Sequence, residues 1–176
     1  MKAVTKPDNI RIIKSNSCKS LSGKSTLEYQ IGCHGDSDIY VRVAKNSSSG
    51  WFSKEWVAIQ KIITVLESSK FPLTSYTLQT FFTGKSVNTA AFIFAALKEE
   101  GLVANNPDNP RCYVLQSVDS FTQPIKVLIS SGVTLQDTLV KASKVSAVNI
   151  DDDIIPVLAS SSKPASGKTK TQAHKP

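Results

Sequence analysis

Pro72, Gly84 and Gly101 constrain the fold of this chain more than any other feature, because they divide residues 53–116 into three short helical runs and a hairpin. Proline is strongly disfavoured in a helix interior, and glycine commonly follows the last residue of a helix. We expect Gly101 to adopt the positive φ that this position often requires. The breaks therefore predict a module of short helices.

Apolar residues at helical spacing support this division. Hydroxyl side chains stand before each run, where they can cap the first free N–H groups of a helix. The predicted helices are residues 53–67 with Ser53 as cap, 75–82 with Thr74 as cap, and 87–100 with Ser86 as cap. The inward stripe predicted for the third helix is Val87, Ala90, Ala91, Phe94 and Leu97.

Residues 102–103 and 113–115 flank a polar stretch that contains prolines, which predicts a β-hairpin. Helices joined by the tight turn Thr83-Gly-Lys85 and followed by such a hairpin resemble a winged helix-turn-helix domain. The segment Leu97-Lys-Glu-Glu-Gly-Leu-Val103 is similar to the end of the third helix in these domains. The resemblance covers about a third of the chain and identifies no individual family.

In proteins of this architecture the N-terminal end of the third helix enters the major groove of DNA. The resemblance therefore implies a non-enzymatic DNA-binding protein, either a transcriptional regulator or an accessory factor in DNA processing, with double-stranded DNA as its partner. The residues implied on the third helix are Lys85, Ser86, Asn88, Thr89 and, further along, Phe92. The implied phosphate contacts elsewhere are Arg111 on the wing and Lys54 and Lys61 on the first helix.

A protein-interaction module is the alternative, either an adaptor or an inhibitor of a nucleic-acid enzyme, and a homodimer is a further option. Winged helices also dock proteins, so the fold alone does not assign the function. The third helix carries Phe92, Ile93, Ala95 and Ala96 outside its inward stripe, and such an apolar face suits a protein partner as well as DNA. The near-neutral charge of residues 51–116 is also low for a DNA-binding domain.

The first fifty residues predict a small antiparallel sheet, so the expected fold class is α+β. Residues 26–31 and 39–43 alternate polar and apolar side chains around a turn rich in Gly and Asp. Residues 10–13 predict a further short strand, followed by a polar loop. Basic residues in this region, with Tyr40 nearby, could bind a nucleic-acid backbone, and Arg42 is the candidate contact. Tyr29 is interpreted as a core residue.

Gly23-Lys-Ser25 matches the end of a phosphate-binding loop, but its context argues against a nucleotide site. Cys18 occupies the position of the first glycine of that motif, and residues 26–31 predict a strand where the motif requires a helix. We interpret the match as a polar turn. A second group, Cys33, His34, Asp36 and Asp38, does not have a zinc-site spacing. The sequence predicts no catalytic residues, no metal and no cofactor.

The net charge of +7 and the pI near 9.3 favour an acidic partner. Basic residues outnumber acidic ones chiefly at the two ends of the chain. The first residues lack the apolar run of a signal peptide, and no segment approaches the ~20 apolar residues of a membrane span. The chain also contains 3 cysteines, an odd number. These observations together predict a protein of the reducing cytoplasm without a membrane partner.

Four regions are predicted along the chain. They are a β region at 1–50, the winged helix-turn-helix at 51–118, a partly ordered extension at 119–159 with one short helix beginning at Thr134, and a disordered basic tail at 160–176. Within the extension, residues 151–158 pass from acidic to apolar. This pattern is typical of a docking peptide and equally of a linker.

Overall fold

The computed structural model describes residues 9–137 and residue 139. This part of the chain begins with an antiparallel sheet of four strands. The strands lie in sequence order, β1-β2-β3-β4. Their bounds are β1 Arg11–Lys19, β2 Thr26–His34, β3 Asp38–Asn46 and β4 Val57–Ala58. The predicted strands at 26–31 and 39–43 are confirmed, as is the mixed α+β class.

Helices and a two-stranded hairpin follow the sheet. Their bounds are α1 Ile59–Ser68, a 3₁₀ helix Ser75–Phe82, α2 Asn88–Glu99, β5 Val103–Asn105, β6 Tyr113–Leu115 and α3 Val118–Ser130. Leu73 pairs with Tyr113, whose N–H donates to the Leu73 carbonyl at 2.9 Å. This bridge ties the segment between α1 and the 3₁₀ helix to the hairpin.

The prediction that β1 ends at residue 13 is wrong. The strand continues through Lys19, which pairs with Thr26 of β2. Residues 15–17 are polar and exposed, so they lack the apolar pattern of a half-buried strand. The backbone hydrogen bonds to β2 hold them in the sheet nevertheless. The turn at 20–25 that follows is closed by a hydrogen bond from the Ser20 N–H to the Ser25 carbonyl, 2.9 Å.

Two β-bulges change which side chains of the sheet are buried. The register shifts at Ile13 of β1 and at Ala44 of β3, each of which is an extra residue opposite its partner strand. Consecutive residues are therefore buried, Ile12 with Ile13 and Val43 with Ala44. Strict alternation would have placed the two members of each pair on opposite faces of the sheet.

The first helix does not begin at Ser53 as predicted. Residues 50–56 are extended, β4 follows, and α1 begins only at Ile59. The Ser53 hydroxyl accepts a hydrogen bond from the Glu55 N–H at 3.3 Å, and the Ser53 N–H donates to the Thr89 hydroxyl at 2.9 Å. Contacts with distant residues therefore hold this segment extended and override a local capping signal. The second helix has the predicted bounds but is a 3₁₀ helix, with Thr74 and Thr77 forming a capping box.

α2 lies at the centre of the molecule. The predicted inward stripe was too narrow, since every residue of 92–97 is buried, whereas Val87 is 64% exposed. The helix packs against β1, β2 and β3 on one side and against the 3₁₀ helix on another. Its apolar outer face, which the sequence left open to DNA or to a partner, is covered by the sheet of the same chain.

α3 was not predicted from the sequence, which indicated a single short helix in this region, beginning at Thr134. Phe121, Ile125 and Ile129 recur at helical spacing and are buried, while Pro124 is exposed and lies within the helix.

The helix predicted from Thr134 is wrong at its start, because Leu135 is extended and its N–H donates to the Ile12 carbonyl at 2.8 Å. Residue 138, the part of that helix beyond residue 139, residues 151–158 and the tail at 160–176 lie outside the described residues.

The described residues share one hydrophobic core. It contains Tyr29 from the sheet, Ile62 from α1, Phe94 from α2 and Phe121 from α3. All of them belong to a single compact unit, residues 1–141. The boundaries predicted at residues 50 and 118 therefore both lie within this unit.

Candidate nucleic-acid interface

A tight turn connects the 3₁₀ helix to α2. The Lys85 N–H donates to the Phe82 carbonyl at 2.9 Å, and Gly84 has φ of +75°. A side chain at residue 84 would meet no atom within 4 Å, so the turn requires glycine for its backbone conformation and not for space. The turn leaves the side chain of Lys85 exposed at the beginning of α2.

Residues 50–53 cross the N-terminal end of α2. The Trp51 carbonyl accepts hydrogen bonds from the Ser86 hydroxyl at 2.5 Å and from the Asn88 side-chain amide at 3.2 Å. Phe52 packs edge to face against Phe92, with 5.9 Å between the ring centroids. The extended segment is therefore fixed to the helix by polar and aromatic contacts.

These contacts remove two predicted residues from the accessible surface. Thr89 is 0% exposed, and its hydroxyl accepts the Ser53 N–H. Phe92 is 9% exposed beneath Phe52. Neither side chain reaches a ligand in this conformation. Ser86 and Asn88 are half-buried, and each already donates to the Trp51 carbonyl.

The far end of α2 is attached to the sheet. One carboxylate oxygen of Glu100 accepts a hydrogen bond from the Tyr29 hydroxyl at 2.5 Å, and the other accepts from the Lys14 ammonium at 2.7 Å. Burial of Tyr29, followed by its hydrogen bond to Glu100 and the charge of Glu100, raises the pKa of that phenol. Burial, followed by the charges of Glu99 and Glu100, raises the pKa of the Cys18 thiol to about 11. Both groups are thus neutral near pH 7.

One group of the predicted residues does come together. Lys54 is exposed and lies between Ser53, which bonds to α2, and Glu55, whose carboxylate pairs with Lys85. Beside them the Trp51 side chain is 86% exposed. We refer to these residues together as the Trp51 surface: Trp51, Lys54, Glu55, Lys85, Ser86 and Asn88. Within the described residues, Lys54 forms no ion pair, so its charge is available to a ligand.

Arg42 is not an accessible basic residue, although the sequence suggested it as a DNA contact. It is 7% exposed and donates to the Gln30 side-chain oxygen at 2.9 and 2.7 Å and to the Asp137 carboxylate at 2.6 Å. Its guanidinium lies 4.3 Å from the centroid of the Trp56 ring. Burial opposes ionisation of Asp137, but the hydrogen bonds from Arg42 and the Leu139 N–H, with the charge of Arg42, lower the pKa of that carboxyl.

The other two predicted residues lie on separate elements. Arg111 is exposed in the loop between β5 and β6, and its N–H donates to the Asn109 side chain at 3.1 Å. Lys61 is exposed on α1 and lines an open cleft of ≈ 620 Å³ with Lys126 of α3 and Asp38 of β3. Arg111 therefore lies on the hairpin and Lys61 in a separate recess.

Sequence reasoning missed Trp51. The available signal was the position of the aromatic pair Trp51-Phe52 directly after a polar loop, which indicates a site where an aromatic side chain can be exposed. The sequence does not distinguish the two aromatic residues, since the contact between Phe52 and Phe92 decides which ring is covered.

The group Cys33, His34, Asp36 and Asp38 is divided by burial, since Cys33 is 1% exposed whereas the other three residues are on the surface. Among the described residues, no group of three or more His, Cys, Asp and Glu could hold a metal ion. All three cysteines are free and buried. In the same part of the chain, no helix combines the length and apolar character that a bilayer crossing requires.

Comparison of the chain with protein-family models, with curated proteins and with solved structures finds no match in any of the three.

Proposed function

We propose that this protein binds nucleic acid without catalysing a reaction, as a transcriptional regulator or an accessory factor in DNA processing in the cytoplasm. The observation that carries the proposal is the Trp51 surface, where two lysines flank an aromatic side chain that is 86% exposed. Lysines neutralise phosphates and aromatic rings stack on bases, so this combination suits a nucleic acid better than an uncharged ligand.

The order of the elements supports a winged-helix module as the scaffold. α1, the 3₁₀ helix and α2 precede the β5–β6 hairpin, and the bridge between Leu73 and Tyr113 joins the helices to that hairpin. In this module Lys85, Ser86 and Asn88 stand at the beginning of the third helical element, and Arg111 stands on the wing. We assign the first three, with Lys54, to the primary contact and Arg111 to a second phosphate contact.

Burial of α2 changes how such a module would bind. Insertion of this helix into a major groove requires a free helix face. The sheet and residues 50–53 occupy that face from Thr89 onward. Contact is therefore assigned to Lys54 and to residues 85–88, which lead into α2, at the surface of the nucleic acid.

Anisotropy titrations with a labelled 30-nucleotide DNA, as single strand and as duplex, test the proposal at about 50 and 200 mM salt. We expect binding that weakens steeply with salt. Lys85→Glu and Arg111→Glu should each weaken binding several-fold at low salt. Lys98→Glu, which reverses an exposed charge at the other end of α2, is the matched control and should have a smaller effect.

A protein-interaction module is the second candidate, favoured by a different observation. Phe71 is 81% exposed and Tyr76 is 76% exposed, on the two sides of the Leu73 bridge. Exposed aromatic side chains are enriched at protein interfaces. Absence of binding to both DNA forms at about 50 mM salt would contradict the first proposal and favour this one.

A further inference from the structure

We infer that the preferred nucleic acid is single-stranded and that one of its bases stacks on the indole of Trp51. This inference rests on the proposed function and specifies the ligand class of the same surface. It depends on three features: the covered faces of α2, the rigid backbone beneath an exposed indole, and the charges beside that indole.

The covered faces of α2 disfavour duplex recognition. A duplex is read through its grooves, and the major groove admits a whole α-helix. Residues 92–97 are all buried, and Thr89 and Phe92 lie beneath residues 52–53. The bases of a single strand are unpaired and can move to a surface that does not penetrate a groove.

Trp51 presents an exposed indole on an anchored backbone. Its carbonyl is held by Ser86 and Asn88, and the adjacent Phe52 packs against Phe92, so the backbone on which the indole is mounted is anchored. The side chain itself is 86% exposed. Both faces of an indole can accept a base, and such stacking tolerates any base because every base has a π-face. The backbone beneath the indole therefore needs little further ordering when a base binds.

The charges around Trp51 match a phosphate backbone. Lys54 is three residues beyond the indole and forms no ion pair with another described residue, and Lys85 stands at the beginning of α2. The Lys85 ammonium pairs with the Glu55 carboxylate. A phosphate that binds Lys85 must compete with that carboxylate. Glu55 is therefore predicted to weaken binding, although it lies within the binding surface.

Trp56→Phe provides a background in which Trp51 is the single tryptophan, since the chain contains 2. In this background we expect 20-nucleotide oligo(dT) or oligo(rU) to quench the Trp51 fluorescence, and the ratio of their affinities shows whether DNA or RNA is preferred. A duplex of the same length should quench less and bind at least about fivefold more weakly.

Substitutions distinguish the loss of base stacking on Trp51 from the general effect of removing an exposed aromatic side chain. Trp51→Ala should weaken single-strand binding about tenfold, whereas Trp51→Phe should retain most of it. Phe71→Ala is the matched control, because it removes a similarly exposed aromatic side chain that is not one of the residues of the Trp51 surface. It should change binding less than about twofold. Glu55→Gln should strengthen binding about two- to fivefold and steepen its salt dependence.

The outcomes distinguish the two proposals. Failure of every nucleic acid to bind at about 50 mM salt overturns the proposed function and the inference together. A second outcome overturns the inference while the proposed function stands. In it the duplex binds more tightly than the single strand, Lys85→Glu weakens that binding, and Trp51→Ala and Phe71→Ala affect it equally. Weaker binding by Glu55→Gln would also overturn the assignment of Lys85 to a phosphate.

Discussion

Glu100 is the residue that most directly joins the sheet to α2. Its carboxylate is shared between the Tyr29 hydroxyl and the Lys14 ammonium, and its side chain is 8% exposed. A buried carboxylate must keep its hydrogen-bond donors, because an unpaired one costs the desolvation energy of a charge. Tyr29, at 0% exposure, supplies a donor from inside the core.

Tyr29→Phe is therefore expected to lower the free energy of unfolding by about 2 kcal/mol, since it removes a hydrogen bond to a charged group without opening a cavity. Urea denaturation at pH 7 measures the effect. Tyr76→Phe is the control, because that side chain is 76% exposed, and its change should stay within about 0.5 kcal/mol. Equal changes in the two variants would show that the bond to Glu100 contributes nothing.

The pH dependence of the same variant has a defined sign. Burial and Glu100 raise the pKa of Tyr29, so in the folded protein this phenol stays neutral where an unfolded tyrosine ionises, above about pH 10. Its contribution is complete below that pH and decreases as the pH rises through it. The stability advantage of the wild type over Tyr29→Phe should therefore shrink above about pH 10.

Among the elements, the end of α2 depends on a single backbone conformation. Gly101 has φ of +78°, its N–H donates to the Lys98 carbonyl at 3.1 Å, and the Leu102 N–H donates to the Leu97 carbonyl at 2.9 Å. These hydrogen bonds satisfy carbonyl groups of the last helical turn that would otherwise lack a partner. The chain then continues into β5. The prediction of a positive φ at this residue is confirmed.

Gly101→Ala should destabilise the protein by about 1 kcal/mol, because a Cβ disfavours this conformation. A Cβ here would meet no atom within 4 Å, so no steric clash adds to that cost. Thermal or urea unfolding measures it. Gly101→Asn is the matched comparison and should cost less, since asparagine tolerates the left-handed region. A larger loss for Asn than for Ala would contradict the backbone explanation.

At the scale of the whole molecule, the sheet and the helices stabilise each other. α2 contacts three strands, and the core includes side chains from the sheet, the three α-helices and the 3₁₀ helix. A helical module separated from the sheet would expose the buried residues of α2 that face β1 to β3. The helices and the β5–β6 hairpin are thus not expected to fold independently of the sheet.

A fragment of residues 51–118 should therefore lack a cooperative urea transition and should bind a hydrophobic dye such as ANS, because apolar area loses its cover. A fragment of residues 1–141, which keeps the whole compact unit, is the control and should unfold cooperatively. Circular dichroism follows both. A sigmoidal transition in the shorter fragment would show that the module folds without the sheet.

The sequence by itself determined features whose causes are local. The alternation of polar and apolar residues predicted β2 and β3. Thr74 indicated the beginning of the 3₁₀ helix, and Gly101 indicated the end of α2. These signals depend on the preferences of a few neighbouring residues, which are visible in the sequence. The sequence also named Lys85, at the turn that precedes α2, and Lys54, on the predicted first helix, as candidate contacts.

Only the tertiary structure decided which of the candidate side chains are exposed. Ser53 meets Thr89 across 36 residues, Tyr29 meets Glu100 across 71, and Arg42 meets Asp137 across 95. Such contacts hold residues 50–56 extended, bury Thr89 and Arg42, and leave Trp51 exposed. Because each contact joins segments far apart in sequence, its free energy depends on how the whole chain packs, and no local pattern contains that information.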